Sequence, residues 1–169
     1  VENKFKFIEY TNSKQWTHII IHHSATSEGD EHSWDQIRKY HMSWRYEGNS
    51  ISEKQARGLI AQGKKGVQEP WLDIGYHAGI VRTKLGQYIY KMGRPLSLSG
   101  GHTLGFNNKA IGICIVGSFD KNPPNEIQWN MVLELVRELS NHYDIPSNHI
   151  LGHRETYHLL HKPVAKSCP

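Results

Sequence analysis

The chain has 169 residues, of which 37% are hydrophobic and 21% charged, with a net charge of +4. That is the size and balance of one globular domain with a single core. No apolar run approaches the roughly 20 residues that span a bilayer, and the basic residues are scattered, Lys64-Lys65 being only a pair, so neither a membrane span nor a nucleic-acid surface is expected.

Residues 1–16 are polar with scattered aromatics and read as an N-terminal arm. Residues 17–22 (Thr-His-Ile-Ile-Ile-His) are β-branched and apolar, which predicts a central strand. Ser33 is placed to cap a helix whose apolar face runs through Trp34, Ile37, Tyr40, His41 and Trp44. Residues 52–63 predict a second short helix ending at Gly63. Residues 75–82 and 87–92 predict two strands joined by a turn at Lys84-Leu85-Gly86. Residues 93–109 are mostly loop, and residues 110–116 are a second central strand.

Residues 125–143 carry Ile127, Met131, Val132, Leu135, Val136 and Leu139 at helical spacing, which predicts one long amphipathic helix. Ile150-Leu151 is a short strand before Gly152-His153, and residues 157–163 read as a loop with His158 and His161 facing solvent. Strands separated by helices imply an α/β fold, a single domain whose mixed central sheet is flanked by helices. No apolar helix face is left over for a partner, so a monomer is expected.

The two cysteines differ. Cys114 sits in Ile111-Gly112-Ile113-Cys114-Ile115-Val116, where a free thiol behaves as a small apolar group. Cys168 lies between Ser167 and Pro169 in a loop-like tail. Twelve histidines raise the expectation of metal chemistry. Together, His22, His153 and Cys168 are a ready zinc set, because a thiolate and two imidazoles leave the fourth tetrahedral position open for water. Spacing alone does not single these histidines out. A closed structural zinc site would need a fourth protein ligand, and the remaining cysteine is the strand residue Cys114.

Several short stretches resemble one known family in its own order. Ile20-Ile21-His22-His23-Ser24-Ala25-Thr26 looks like the opening strand of the zinc-dependent N-acetylmuramoyl-L-alanine amidases, the superfamily that includes peptidoglycan recognition proteins and phage amidase-type lysozymes. Asp73-Ile74-Gly75-Tyr76-His77 resembles the second motif. Gly101-His102-Thr103 and the run from Gly105 to Ile113 resemble the substrate loop and following strand. Gly152-His153-Arg154-Glu155 and Lys166-Ser167-Cys168-Pro169 resemble the last two. The resemblance covers residues 17–169.

The resemblance implies hydrolysis of the amide between N-acetylmuramic acid and L-alanine in peptidoglycan or a muropeptide, with Zn2+ as cofactor. It implies His22, His153 and Cys168 as metal ligands, with His23 as the rival to His22 and with His158 and His161 as alternatives to His153. It implies Tyr76 and Lys166 as catalytic groups: a hydroxyl that orients water, and a cation that opposes the oxyanion. It also implies His102, Asn107, His23 and Thr103 as substrate contacts. Residues 46–70 exceed the family minimum and are expected as an insertion near the cleft. Activity on peptidoglycan places the protein in the periplasm, the cell envelope or the exterior, or in a phage lysis system. A recognition module without metal is the alternative reading, and Cys168 argues against it because such modules typically replace that ligand.

Overall fold

The computed structural model describes residues 5–165 and residue 168. In chain order its elements are β1 (His18–His23), α1 (His32–His41), β2 (Trp44–Tyr46), β3 (Asn49–Ile51), α2 (Glu53–Ala61), β4 (Ala78–Arg82), β5 (Tyr88–Met92), β6 (Ala110–Ile115), α3 (Glu126–Tyr143), β7 (Ile150–Gly152) and α4 (His153–Leu159). A 3-10 turn over Ser147–His149 leads into β7. The main sheet has the order β5-β4-β6-β1-β7, while β2 and β3 form a separate hairpin. β1 runs parallel to β6 and β7, β4 runs parallel to β6, and only the edge strand β5 is antiparallel. This is the expected mixed α/β sheet in a single domain.

The sheet is apolar on both faces because β6 is buried at every position and helices cover each side. On one face Ile19, Ile111, Ile113 and Ile115 meet Val132, Leu135 and Leu139 of α3. On the other, Trp34 of α1 packs with Ile74, Val81 and Cys114, and Ile20 packs with Phe106 and Ala110. Gly79 on β4 makes the α1 packing possible, since a Cβ there would lie 2.3 Å from the Trp34 ring.

Residues 5–16 also reach the core. Phe5, Ile8 and Trp16 are buried, Tyr10 stacks on His142 at 3.7 Å, and its hydroxyl donates to Glu138 at 2.6 Å.

Local chemistry explains most element ends. Ser52 and Gln55 form a capping box on α2, and Asn125 and Gln128 form one on α3; such caps contribute about 1 kcal/mol each. Three expectations require correction. Ser33 lies inside α1 rather than at its cap, with the Asp30 carboxylate accepting from the His32 N–H at 2.9 Å. Trp44 is not on α1, because the helix stops at His41, whose carbonyl accepts from the Trp71 N–H at 2.9 Å, and Trp44 begins the hairpin. Residues 153–159, partly expected as loop, form α4; Glu155 reaches back to accept from the Gly152 N–H at 2.6 Å and closes its first turn.

Candidate metal centre and its cleft

The parallel pairing of β1 with β7 creates the site. Ile21 lies opposite Gly152, so the next residues, His22 and His153, leave the C-terminal edge of the sheet side by side. Strand ends of parallel sheets are where such folds gather ligands. The two imidazoles lie 4.6 Å apart at their centroids. Cys168 closes the group, with Sγ 3.6 Å from His22 Nδ1 and accepting from the backbone N–H of His23 at 3.3 Å. All three side chains are buried, and one donor atom from each lies within 4.8 Å of the others. Two imidazoles and a sulfur in that compass suit zinc better than a hard cation, which would call for carboxylates.

His23 takes a different direction. Strand alternation turns its ring away from His22. Its Nδ1 accepts from the Phe119 N–H at 2.9 Å, and Nε2 lies 3.6 Å from Asp120. Burial lowers its pKa, the Asp120 carboxylate opposing that effect.

Tyr76 stands beside this candidate ligand group, its ring 5.3 Å from that of His22. It packs on Trp34 at 6.3 Å, and its hydroxyl faces the Cys114 thiol. Burial pushes the phenol well above its ordinary value, and the neighbouring sulfurs push it further. Tyr76 therefore holds its proton at neutral pH. Burial likewise pushes the Cys114 thiol up.

His102 sits behind His22. Its Nδ1 is 2.9 Å from His22 Nε2 and 3.0 Å from Thr103 Oγ1, and its Nε2 is 3.1 Å from the Ala110 carbonyl oxygen. Burial, with the nearby His77, holds its pKa down to about 3, so the ring is neutral. Asn107 Oδ1 accepts from the backbone N–H groups of His102 and Thr103 at 2.8 and 2.7 Å, which fixes the loop.

A cavity of about 840 Å³ opens on this side, lined by Trp71, Arg94, His102, Thr103 and Asn107 among others, with Gln68 and Pro70 of the 46–70 segment at its border. A second cavity of about 370 Å³ is lined by Tyr76, Ser24, Gln36, Tyr40 and His41. His102 and Thr103 thus line the first cavity and Tyr76 the second, and all three lie beside His22.

The structure brings His22, His153, Cys168, Tyr76, His102 and Thr103 into one neighbourhood. Lys166 lies outside the described residues. His158 and His161 are exposed and stand outside the ligand group found among the described residues. The sequence points to His41 only as part of the apolar face of α1 and does not single out Trp71. Their rings lie 4.7 Å apart, and that of His41 is 5.8 Å from Tyr76. α1 carries His41 there, and Trp71, in the segment between α2 and β4, is tied to it by donating its N–H to the His41 carbonyl at 2.9 Å, so no local pattern announces the pair.

Comparison with known proteins gives a consistent result. The family described as N-acetylmuramoyl-L-alanine amidase matches residues 12–169. The endolysin of Enterobacteria phage K11 is 24% identical over 167 residues, which cover 96% of this chain and 85% of that protein. The N-acetylmuramoyl-L-alanine amidase of Mus musculus is 34% identical over 95 residues, 55% of this chain and 17% of that one. Among solved structures, bumblebee PGRP-SA superposes with a TM-score of 0.60 at 22% identity, covering 92% of this chain and 75% of that one. The amidase LysC of Clostridium intestinale superposes with a TM-score of 0.54 at 23% identity, covering 96% and 85%. At these identities the two structures speak for the fold alone.

Proposed function

The chain belongs to the N-acetylmuramoyl-L-alanine amidase family and is an amidase acting on the amide between N-acetylmuramic acid and L-alanine; on that premise we propose that His22, His153 and Cys168 hold a zinc ion for this reaction. The observation that carries the reading is the convergence of one thiol and two imidazoles, all buried, at the C-terminal edge of the sheet. A zinc ion held there by His22, His153 and Cys168 would supply Lewis acidity and make water a nucleophile near neutral pH.

The side chains have separate tasks. Tyr76 keeps its proton on the phenolic oxygen and donates a hydrogen bond that orients the attacking water or the reacting carbonyl. Lys166, by its place in the last motif, supplies the ammonium that opposes negative charge on the tetrahedral oxyanion. His102, Thr103 and Asn107 border the larger cavity and contact the muropeptide, and His23 supports the site through its main chain. Residues 46–70 shape the outer end of that cavity. The substrate is peptidoglycan or a muropeptide, and the protein works at the wall as part of a lysis system, as its endolysin relatives suggest.

The test is incubation of zinc-loaded protein with purified peptidoglycan, scored by new N-terminal L-alanine. Release that stops on chelation and returns with zinc is expected. A protein with stoichiometric zinc that frees no stem peptide overturns the assignment, and a protein that binds the wall without stoichiometric zinc is a recognition module instead.

A further inference from the structure

We propose that His102 is a positioning residue that sets the tautomer of His22, leaving His22 Nδ1, on the side of Cys168, without a proton. The inference deepens the zinc reading above and rests on His22 being a ligand. It follows from which atoms can carry hydrogen.

The Ala110 carbonyl can only accept a hydrogen bond. His102 Nε2, 3.1 Å from that oxygen, must therefore carry the proton. A neutral imidazole has one N–H, so His102 Nδ1 is left as an acceptor. The atom 2.9 Å from it is His22 Nε2, which must then be the donor. His22 in turn has one N–H, so its Nδ1 carries no proton and is an acceptor facing Cys168 Sγ at 3.6 Å. One backbone carbonyl thus decides the protonation of an atom two rings away. Thr103 Oγ1, 3.0 Å from His102 Nδ1 and 3.3 Å from His22 Nε2, fits the same pattern, donating to the first and accepting from the second.

The surroundings hold the relay in place. The His102 ring lies over two glycines: a Cβ on Gly112 would come 2.5 Å from its Cδ2, and one on Gly100 would come 2.4 Å from the same atom. Asn107 fixes the main chain of His102 and Thr103 from the other side. Ligating histidines commonly give their second nitrogen to a carboxylate, a carbonyl or water. Here a second imidazole fills that place and passes the requirement on to the main chain. His102 acts on the ion only through His22.

The first measurement needs neither metal nor activity. Nitrogen NMR of histidine-labelled, zinc-free protein at about pH 8, where a histidine of ordinary pKa is neutral, should show both His22 and His102 protonated at Nε2. A His22 ring protonated at Nδ1 overturns the proposal. The second measurement is zinc affinity by chelator competition. His102→Leu should mix the His22 tautomers and weaken zinc by roughly 10–100-fold while keeping one ion at saturation. His102→Gln, whose amide can accept from His22 and donate to Ala110, should recover much of that loss, whereas a purely space-filling role would favour neither.

Unchanged tautomer and affinity in a folded His102→Leu protein also overturn the proposal; should that variant not fold, the wild-type spectrum and His102→Gln decide. The zinc reading fails separately, if His22→Ala keeps full zinc content, and that result leaves the His22 tautomer measurement standing.

Discussion

His22 and His23 are consecutive on β1, yet their rings point to opposite sides of the sheet, and the main chain of the second still serves the first: the His23 N–H donates to Cys168 Sγ at 3.3 Å while Sγ sits 3.6 Å from His22 Nδ1. Replacing each in turn should separate their roles. His22→Ala is expected to abolish zinc binding and amidase activity with a modest loss of stability. His23→Ala, which removes a ring buried at 3% exposure and its bond to Phe119, should lower stability by roughly 2–4 kcal/mol while the folded protein still takes up one zinc. Zinc content and denaturant unfolding of both variants check this, and equal zinc loss in the two would remove the distinction.

Cys168→Ser exchanges the soft thiolate of the site for a weak neutral oxygen. Its zinc affinity should fall by more than the roughly 10–100-fold that follows loss of an outer hydrogen-bond partner. Elemental analysis after dialysis against a mild chelator gives the answer, and full retention of metal would mean the sulfur is not a ligand.

Tyr76→Phe removes only the hydroxyl beside the metal-binding group and leaves the packing on Trp34. Turnover should drop by about 10²–10³, the usual effect of losing one oriented donor, at unchanged zinc content. Rates equal to wild type would reduce Tyr76 to a packing residue.

His77 links stability to pH. It is buried, its Nδ1 accepts from the Gly112 N–H at 3.0 Å and its Nε2 meets the Leu98 carbonyl at 3.1 Å. Burial holds its pKa down to about 4, against 6.5 in an open chain. The native state therefore keeps the ring neutral, and below about pH 6.5 the unfolded chain takes up a proton that the native state refuses. The stability this group gives is whole above that pH and is lost as pH falls toward 4. Between about pH 7 and pH 5 the loss should be about 2 kcal/mol, at 1.36 kcal/mol for each pH unit below 6.5. Urea unfolding at the two pH values should show a correspondingly shallower dependence in a folded His77→Gln protein.

Gly79→Ala tests the seating of α1. The added methyl would meet the Trp34 ring at 2.3 Å, and such overpacking typically destabilises by about 1–3 kcal/mol. Because Trp34 also supports Tyr76, turnover should fall more than zinc affinity does. A melting temperature equal to wild type would show that the helix shifts freely.

Sequence and structure divide the account at a definite place. β1, β6 and α3 are legible because their patterns are local: short apolar runs rich in isoleucine mark the buried strands, and helical spacing from Ile127 to Leu139 marks α3. α4 was missed because its signal is one reach-back from Glu155 to a glycine. The extent of α1 was overdrawn because Trp44 keeps the helical period while its chain turns into a hairpin.

The sequence by itself determined the class of fold and, through its motifs, the family and the residue types available for chemistry. Only the tertiary structure decided which atoms meet. The parallel register sets His22 beside His153, strand alternation sends His23 the other way, and the crossing of α1 brings His41, with Trp71 packed on it, to the cleft. The contact between His22 and His102 depends on two glycines that leave room for a ring. Such distances arise between residues far apart in the chain, where no local preference acts, and they exist once the sheet has closed and the side chains have packed.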